Sequence, residues 1–407
     1  MLQPTPNFEV NAAAPAKGEN AGASITPFDH QPRTRLVFGA GSVEGGGELA
    51  RELGVRKVLL VTDAGVVRAG HAGKVLRSLE AAGVLAVLFD EVRENPTTAD
   101  VDACLRVARV SGIDGIIGLG GGSSLDTAKG CNFLLTNGGR MRDYWGVGKA
   151  AKPMLPLIAI PTTAGTGSEC QSFALIADEV THQKMACGDP KAAARAAILD
   201  PVLTISQPPR VAACTGVDAL SHALETAVTR RRNPLSLAYS REAFRLCWSS
   251  FAGVLKNPTD LEARSGMLIG AALAGLAIEN SMLGAAHAAA NPLTAHYNIV
   301  HGQAIGLMLP HVLRFNACDA EAAALYASLN WKPANSKPTL ASPANSLADE
   351  LAKLLALAEM PSSLADFGIK PSGIPALAEE ASKQWTAAFN PRSITTSDFA
   401  DLYTAAL

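Results

Sequence analysis

The sequence predicts an α/β domain followed by an all-α domain, and three observations support this fold class. From about Arg35, short β-rich apolar runs alternate with longer helix-like segments, a pattern typical of a parallel α/β layer. After the proline-rich segment 200–209, the β-rich runs stop and long Ala/Leu-rich stretches follow. The length of 407 residues suits two or three domains. We therefore expect a flexible N-terminal extension at 1–32, an α/β domain at 33–208 and a helical domain at 209–407.

The alternation of apolar runs places the first elements of the α/β domain. The predicted strands are Lys57–Val61, Leu85–Phe89, Gly115–Leu119 and Leu155–Ile160. The predicted helices are Val43–Leu53, Gly73–Ala82, Ala99–Val110 and Ser124–Leu135. In the second half, Pro292 predicts that positions 287 and 301 lie on separate helical segments, because proline interrupts helices.

Composition and charge exclude several classes of protein. With 48% hydrophobic and 18% charged residues, the chain is too apolar for general disorder. Its 35 basic and 37 acidic residues give a net charge of −2, which lacks the cationic footprint of a nucleic-acid binder. The longest nearly uncharged stretch, Gly266–Ile278, is too short to span a bilayer at about 20 residues and predicts a buried helix. We expect small-molecule partners and neither nucleic acid nor membrane.

The cysteines and the N-terminus predict the compartment. Seven scattered cysteines without a C-x-x-C pair indicate reduced thiols. The first residues show neither the basic start nor the apolar core of a secretory signal. We therefore expect a cytoplasmic protein.

A glycine-rich turn follows the predicted strand at 115–119. Gly120, Gly121, Gly122 and Ser123 stand where this strand becomes a helix, so that free N–H groups and the helix dipole point at one spot suited to phosphate. The alternative is a tight crossing that needs glycine for steric reasons alone. The turn departs from the usual dinucleotide fingerprint, because Ser123 stands at the third glycine's place.

Two further features lie at the ends of predicted strands. The small-residue loop Pro161–Ser168 offers hydroxyls to ribose or phosphate oxygens, although Thr and Ser in loops also cap helices. Asp63 follows the strand at 57–61 and could accept hydrogen bonds from an adenosine ribose; a helix N-cap is the alternative.

A histidine and carboxylate set lies in the apolar second half. Asp218 and His222 are four residues apart and share a helical face, and His287, His296 and His301 follow in small-residue surroundings. Each histidine alone fits a hydrogen-bonded core residue. Together they predict a metal site, because buried charged and polar groups need a partner. One carboxylate with several imidazoles fits a catalytic site better than structural zinc, which favours cysteine.

The motifs GGGSSLDTAK, PTTAGTGSE, GVDALSHALE and AHAAANPLTAHYNIVHG occur in this order between about Leu36 and Leu313. In these segments the chain resembles the iron-containing (group III) alcohol dehydrogenase family, whose relatives include glycerol dehydrogenase and, more distantly, dehydroquinate synthase. The resemblance implies a Rossmann-like nucleotide-binding α/β domain and a helical metal-binding domain, the dehydroquinate synthase-like fold, with metal and nicotinamide meeting between them.

The resemblance also assigns residues. It implies that the metal is held by Asp218, His222, His287 and His301. It implies cofactor contacts at Asp63, Asn95, Gly121, Gly122, Ser123, Asp126, Thr162, Thr163, Thr166 and Lys184. Asp63 favours NAD over NADP. The resemblance implies Fe²⁺, whereas the ligands alone would also take Zn²⁺, which the Irving–Williams order favours.

One position departs from the family pattern. Many members carry a histidine four residues after the third ligand, a residue linked to proton transfer and substrate contact, and this chain has Asn291 there. Asparagine hydrogen-bonds but does not titrate near neutral pH. Asn291 and His296, a possible substitute, are therefore the catalytic candidates, with a packing or surface role as the alternative for His296.

The expected function is an NAD-dependent, metal-dependent alcohol dehydrogenase or aldehyde reductase, a homo-oligomer of two or more subunits acting on a small alcohol or aldehyde. Two alternatives stay open. One is a metal- and NAD-dependent lyase of the dehydroquinate synthase kind, which would need clustered basic residues beyond Arg230–Arg232. The other is a non-catalytic relative that has kept the fold.

Overall fold

The structure is a computed structural model that describes residues 27–181, 183–329, 331 and 343–407. The first 26 residues of the expected extension lie outside the described residues. Within its described part, His30 Nδ1 lies 2.8 Å from Asn280 Oδ1. Arg33, the first residue after the expected extension, forms a 3.0 Å ion pair with Glu279. The chain just before the first strand is thus attached to the helical half.

Nine described strands form two sheets. Their bounds are β1 Arg35–Phe38, β2 Lys57–Val61, β3 Leu85–Phe89, β4 Gly115–Gly120, β5 Gly146–Val147, β6 Leu157–Pro161, β7 Phe173–Ala177, β8 Lys184–Gly188 and β9 Ala196–Leu199. The main sheet is parallel, in the order β1-β9-β6-β4-β2-β3. The small sheet has the order β5-β8-β7, with β7 antiparallel to β8.

The α-helices flank the main sheet and then form the second half. Those of the first half are α1 Gly46–Glu52, α2 Ala64–Arg68, α3 His71–Ala81, α4 Thr98–Ser111 and α5 Gly122–Asn137. Those of the second half are α6 Pro209–Val228, α7 Pro234–Lys256, α8 Leu261–Glu279, α9 Ala285–Tyr297, α10 His301–Asn316, α11 Ala320–Ala327, α12 Pro343–Leu357, α13 Ile374–Ser382 and α14 Thr396–Ala405. The predicted fold class, α/β followed by all-α, is confirmed.

The predicted strands agree closely with the observed ones. Strands β2 and β3 have the predicted bounds, and β4 runs one residue further. Strand β6 begins two residues later than predicted, because the Leu155 N–H donates to Asn132 Oδ1 (3.1 Å) instead of joining the sheet. The predicted first helix is divided into a 3₁₀ turn at Ser42–Gly45 and α1.

The burial of its middle strands shows that the main sheet lies between layers of helices. Strands β4 and β6 are buried along their whole length, as expected for strands covered by helices on both faces. Separate apolar clusters fill the two faces, one around Leu59 and Phe133 and the other around Leu60 and Leu79. A third and larger cluster fills the helical half.

Helix α8 contains the predicted buried segment. It is the one described helix that is long and apolar enough to cross a membrane, and 67% of its apolar window is buried inside the fold. It packs against α6 and α7, which places it in the core of the helical half.

The chain breaks between α9 and α10, as predicted, but for a different reason. Helix α9 continues through Pro292 and ends at Tyr297. Asn298 then adopts a left-handed conformation (φ 54°), and α10 begins at His301. A left-handed residue ends a helix here, and the proline lies inside it.

The fold brings the candidate segments together at one edge of the main sheet. Strands β6, β4 and β2 are neighbours, so the loops after their carboxyl ends are adjacent. The loop after β6 also packs closely on α6, where a Cβ added at Gly165 would lie 2.5 Å from Thr215 Cβ. This loop therefore connects the sheet edge to the helix that carries Asp218 and His222.

Candidate active site

Three helices bring four candidate ligands to one point. Asp218 and His222 lie one turn apart on α6, His287 is in the first turn of α9, and His301 is the first residue of α10. Asp218 Oδ1 lies 3.3, 3.5 and 3.7 Å from Nε2 of His222, His287 and His301. The Nε2 atoms of His222 and His287 are 3.1 Å apart.

These distances fit a shared metal ion. Ligands held at about 2.1 Å in a tetrahedral arrangement lie about 3.4 Å from one another. Asp218 Oδ1 is buried and has no hydrogen-bond partner among the described residues, although three imidazole nitrogens surround it. The ligand atoms of Asp218, His222 and His287 all lie within 4.8 Å of one another. The residues present therefore fit a divalent cation.

The electrostatics of the cluster favour a bound cation. Burial disfavours the Asp218 carboxylate, but the three neighbouring imidazoles outweigh burial and hold its pKa below the usual range. Burial lowers the pKa of His222 and of His301, although a quarter of the His301 side chain is exposed. The site thus contains an ionised carboxylate and two imidazoles that favour the neutral form. These are the protonation states in which carboxylates and imidazoles bind metals.

His287 differs from the other two imidazoles because it has a carboxylate on its far side. Burial opposes protonation of His287, but Glu225 and Asp218 raise its pKa to about 9. Glu225 Oε2 lies 2.5 Å from His287 Nδ1, and Glu225 is buried on α6. Glu225 stands inside the GVDALSHALE motif, but sequence reasoning assigned it no role.

The glycine turn and the small-residue loop are in contact. Among the described residues no side chain caps the start of α5, so its first N–H groups face the turn. A Cβ added at Gly122 would lie 2.9 Å from Thr166 Cγ2, and one at Gly121 would lie 3.3 Å from Thr163 Cγ2. Thr162 is buried, and its N–H donates to Gly120 O (3.0 Å). The structure thus brings both predicted cofactor segments together.

Asp63 is a helix N-cap, and one of its carboxylate oxygens is not used in the cap. Its Oδ1 accepts from the N–H groups of Gly65 (2.8 Å) and Val66 (3.0 Å), which caps α2. Its Oδ2 faces the turn, since a Cβ at Gly120 would lie 3.4 Å from it. The cap therefore leaves one carboxylate oxygen at the sheet edge where a nucleotide would lie.

Asn95 and Ser123 are also brought together. Asn95 adopts a left-handed conformation (φ 52°), and its N–H donates to Ser123 Oγ (3.3 Å). The turn before α4 therefore borders the glycine turn from the side opposite the Thr163 loop.

Asp126 points into the protein. It is buried, and its carboxylate accepts from Ser168 Oγ (2.7 Å) and the Leu175 N–H (3.2 Å). Lys129, fully buried, donates to Ser168 Oγ and to the carbonyls of Ser168 and Phe173. Asp126 and Lys129 thus attach α5 to the residues at the end of the loop. Lys184 is exposed at the start of β8, where its charge acts on both Asp126 and His301.

The two catalytic candidates lie on different sides of α9. Asn291 is one turn after His287 on the same face, and its Nδ2 donates to Gln384 Oε1 (3.0 Å). His296 is nine residues after His287, on the opposite face, where its exposed Nε2 lies 2.5 Å from Glu380 Oε2. The structure therefore brings Asn291, and not His296, to the side of α9 that carries the cluster.

Comparison with known proteins identifies the family. The family model described as iron-containing alcohol dehydrogenase matches residues 32–201, and its C-terminal counterpart matches residues 212–407. The chain belongs to the iron-containing alcohol dehydrogenase family. The first match ends at residue 201, after the last strand, and the second begins at residue 212, in the first turn of α6.

Relatives within the iron-containing alcohol dehydrogenase family span almost the whole chain. Alcohol dehydrogenase 4 of Schizosaccharomyces pombe is 34% identical over 371 residues, 91% of this chain and 87% of that protein. The crystal structure of a 1,3-propanediol oxidoreductase matches with a TM-score of 0.89 and 33% identity, covering 94% of this chain and 100% of that one. Sulfoacetaldehyde reductase from Bifidobacterium kashiwanohense, in complex with NAD⁺, matches with a TM-score of 0.84 and 26% identity over 94% and 99%.

Sequence reasoning missed the partners that hold this family member's site residues. Besides Glu225, these include Gln384, which binds Asn291. The ring centroid of the adjacent Trp385 lies 6.1 Å from that of Phe173 on β7, in the α/β half. Glu225 could have been found by its helical spacing from Asp218. Gln384 and Trp385 are about ninety residues from Asn291, and no spacing rule connects them.

Proposed function

We propose that this protein is an NAD-dependent, metal-dependent alcohol dehydrogenase and aldehyde reductase that transfers hydride between a small alcohol and a nicotinamide. One observation carries the proposal. The loop after β6 contacts the glycine turn through Thr163 and Thr166 and packs on α6 at Thr215, three residues before Asp218. A nucleotide on the turn and a metal on α6 would therefore be neighbours.

Four residues would hold the metal: Asp218, His222, His287 and His301. Once bound, a divalent metal supplies Lewis-acid polarisation of the substrate oxygen, and the nicotinamide supplies the hydride acceptor. The family favours Fe²⁺, and we propose Fe²⁺ as the resident ion. A set of one carboxylate and three imidazoles also suits Zn²⁺.

The chain's part in cofactor binding is divided among three loops. The N–H groups of Gly122 and Ser123 at the start of α5 would bind the pyrophosphate. Thr162, Thr163, Thr166 and Lys184 would line the cofactor, with Asn95 holding Ser123. The free oxygen of Asp63 would accept from ribose hydroxyls and repel a 2′-phosphate, which favours NAD over NADP. We assign Asp126 the indirect role of fixing the loop through Ser168.

Asn291 is the proposed contact for substrate oxygen beside the cluster. Its amide is fixed by Gln384 and does not titrate, so Asn291 orients the substrate by hydrogen bonding and holds no transferable proton. His296 is given no role in the reaction, because its imidazole is paired with Glu380 at the surface.

The basic run 230–232 does not form an anion site in the described structure. Arg230 binds Pro391 O and Ser393 Oγ, Arg232 pairs with Glu321, and Arg231 lies over the Phe389 ring. These contacts attach the residues that follow α6 to the C-terminal segment and to α11. They speak against a phosphorylated substrate of the lyase kind.

Two properties of the whole protein are also proposed. Strand β1 is an edge strand that exposes 37% of Leu36 and 47% of Phe38, which supports association of at least two subunits through this edge. All seven cysteines are unpaired and six are buried, which supports a reducing, cytoplasmic location.

The experiment is a panel of small alcohols and aldehydes assayed in both directions with NAD and NADP at 340 nm. Net NADH formation from an alcohol is the expected result. A lyase that reoxidises its nicotinamide within each turnover would give none. Cofactor binding without turnover on the whole panel would indicate a non-catalytic relative.

A further inference from the structure

Helix α9, which carries His287, begins without a cap of its own. Its N-cap residue is Gly284, which has no side chain to accept from the first N–H groups. Two buried side chains from distant segments take this place. Asn390 Oδ1 accepts from the Ala285 N–H (3.3 Å), and Glu225 Oε1 accepts from the Ala286 N–H (2.7 Å).

Glu225 makes a second contact that Asn390 does not make. Its Oε2 lies 2.5 Å from His287 Nδ1, while its Oε1 holds the Ala286 N–H. The carboxylate therefore binds the backbone of residue 286 and the side chain of residue 287 at once. Glu225 thus helps to hold the start of α9 and also fixes the rotation of the imidazole.

Glu225 is itself placed by the helix that supplies the other ligands. It follows Asp218 by seven residues and His222 by three, so all three side chains share one face of α6. Glu225 is 4% exposed, and its one ion pair among the described residues is with His287. The ion pair between Glu225 and His287 is therefore buried and is not a surface salt bridge.

We propose that Glu225 is the positioning residue of the metal site: it keeps the proton of His287 on Nδ1 and turns the Nε2 lone pair toward Asp218. A carboxylate accepts and does not donate, so the imidazole must carry its proton on the side facing Glu225. A metal ion can then displace the second proton, on Nε2, which lies 3.5 Å from Asp218 Oδ1, while Nδ1 keeps the proton that faces Glu225. This inference rests on the proposed metal-dependent function.

Replacing Glu225 by glutamine separates its two contacts. In Glu225→Gln, the amide oxygen can still accept from the Ala286 N–H, which leaves the NH₂ group facing His287 Nδ1. The imidazole must then accept at Nδ1 and carry its proton on Nε2, which points into the metal site. We expect the dissociation constant for Zn²⁺ to rise by about 10- to 100-fold.

Asn390→Ala is the matched control, because it removes one cap of α9 and leaves the imidazole acceptor in place. Zn²⁺ affinity is measured by competition with a chelating indicator, alongside the melting temperature of each metal-free protein. We expect Asn390→Ala to lower the melting temperature while its Zn²⁺ affinity stays within about threefold of wild type. Equal losses of Zn²⁺ affinity in the two variants would indicate that Glu225 acts only as a helix cap, which would overturn the proposal.

A second measurement uses the wild-type protein and does not depend on whether Glu225→Gln folds. With ¹⁵N-labelled histidine and Zn²⁺ bound, the His287 signals, assigned with His287→Gln, should show a proton on Nδ1 and none on Nε2. The opposite tautomer would overturn the proposal. If wild type binds Zn²⁺ tightly and Glu225→Gln binds it equally well, only the role of Glu225 fails. If wild type binds no divalent metal, the proposed function fails with it.

Discussion

Asp218 Oδ1 lies 3.3 Å from Nε2 of His222, one turn further along the same helix, and this buried oxygen has no hydrogen-bond partner among the described residues. Helix α6 thus presents a carboxylate and an imidazole to one point before α9 and α10 add theirs. A buried, unsatisfied carboxylate oxygen is costly without a cation. Asp218 and His222 are therefore suitable positions at which to test the metal hypothesis.

Removing the Asp218 charge should abolish metal binding. Asp218→Asn keeps the side chain's shape but offers a neutral and weaker ligand, so we expect kcat/KM to fall on the order of a thousandfold and bound metal to be lost. Metal per chain is measured by elemental analysis, and activity at 340 nm. The control is Asp319→Asn, which changes the cap of α11, because asparagine caps helices as well as aspartate. Wild-type metal content in Asp218→Asn would contradict the ligand assignment.

Asp63 should decide between NAD and NADP. Asp63→Asn retains an oxygen for the N–H groups of Gly65 and Val66, so α2 should keep its cap and the melting temperature should hardly change. Without its negative charge, the side chain at position 63 no longer repels the 2′-phosphate of NADP. We expect the ratio of kcat/KM for NADP over NAD to rise by at least about tenfold. An unchanged ratio would mean that Asp63 serves only as a helix cap.

Glu169 should make stability depend on pH. Burial raises the pKa of this 2%-exposed carboxyl to about 7, against 4.5 ordinarily. The folded state therefore binds the proton more tightly than the unfolded state, so stability is fully present below pH 4.5 and is lost as pH rises through 7. Glu169→Gln should remove this loss, on the order of 3 kcal/mol. Urea unfolding at pH 5 and pH 8 measures it, and a stability difference from wild type that is equal at both pH values would contradict the prediction.

Asn291 and His296 should respond differently to substitution. Asn291→His places an imidazole one turn from His287, and we expect kcat to gain an ionisation near pH 6.5. His296→Gln breaks only a surface contact with Glu380, so kcat should stay within about twofold of wild type. The pH dependence of kcat measures both. A large loss of kcat in His296→Gln would contradict this prediction and indicate that His296 takes part in the reaction.

How far the sequence predicts this structure depends on the kind of feature. Strands β2 and β3 were placed to the residue, because each is a short, almost continuous apolar run. The break before His301 was predicted from Pro292, yet the helix accommodates that proline and ends at Asn298. Proline restricts a helix locally, whereas where a helix ends depends on what it packs against.

The same holds for the candidate site: local sequence patterns predicted some of its features, whereas contacts between distant segments were not predicted. The spacing of Asp218 and His222 predicted a shared helical face, and the glycine turn was visible as a strand running into a helix. His296 was a candidate because it lies in the same motif as two ligands, but residue type does not reveal that it faces outward. Contacts such as Asn291 with Gln384 join segments far apart in the chain, and only the folded structure shows them.

The most direct test of a metal-dependent hydride transfer is activity as a function of metal content. Protein purified without added metal is analysed for bound ions, stripped with a chelator and refilled separately with Fe²⁺ and Zn²⁺, with NADH formation followed at each stage. We expect a divalent ion bound by Asp218 and the three histidines, loss of activity on stripping, and recovery with Fe²⁺. Full activity in the metal-free protein would contradict it.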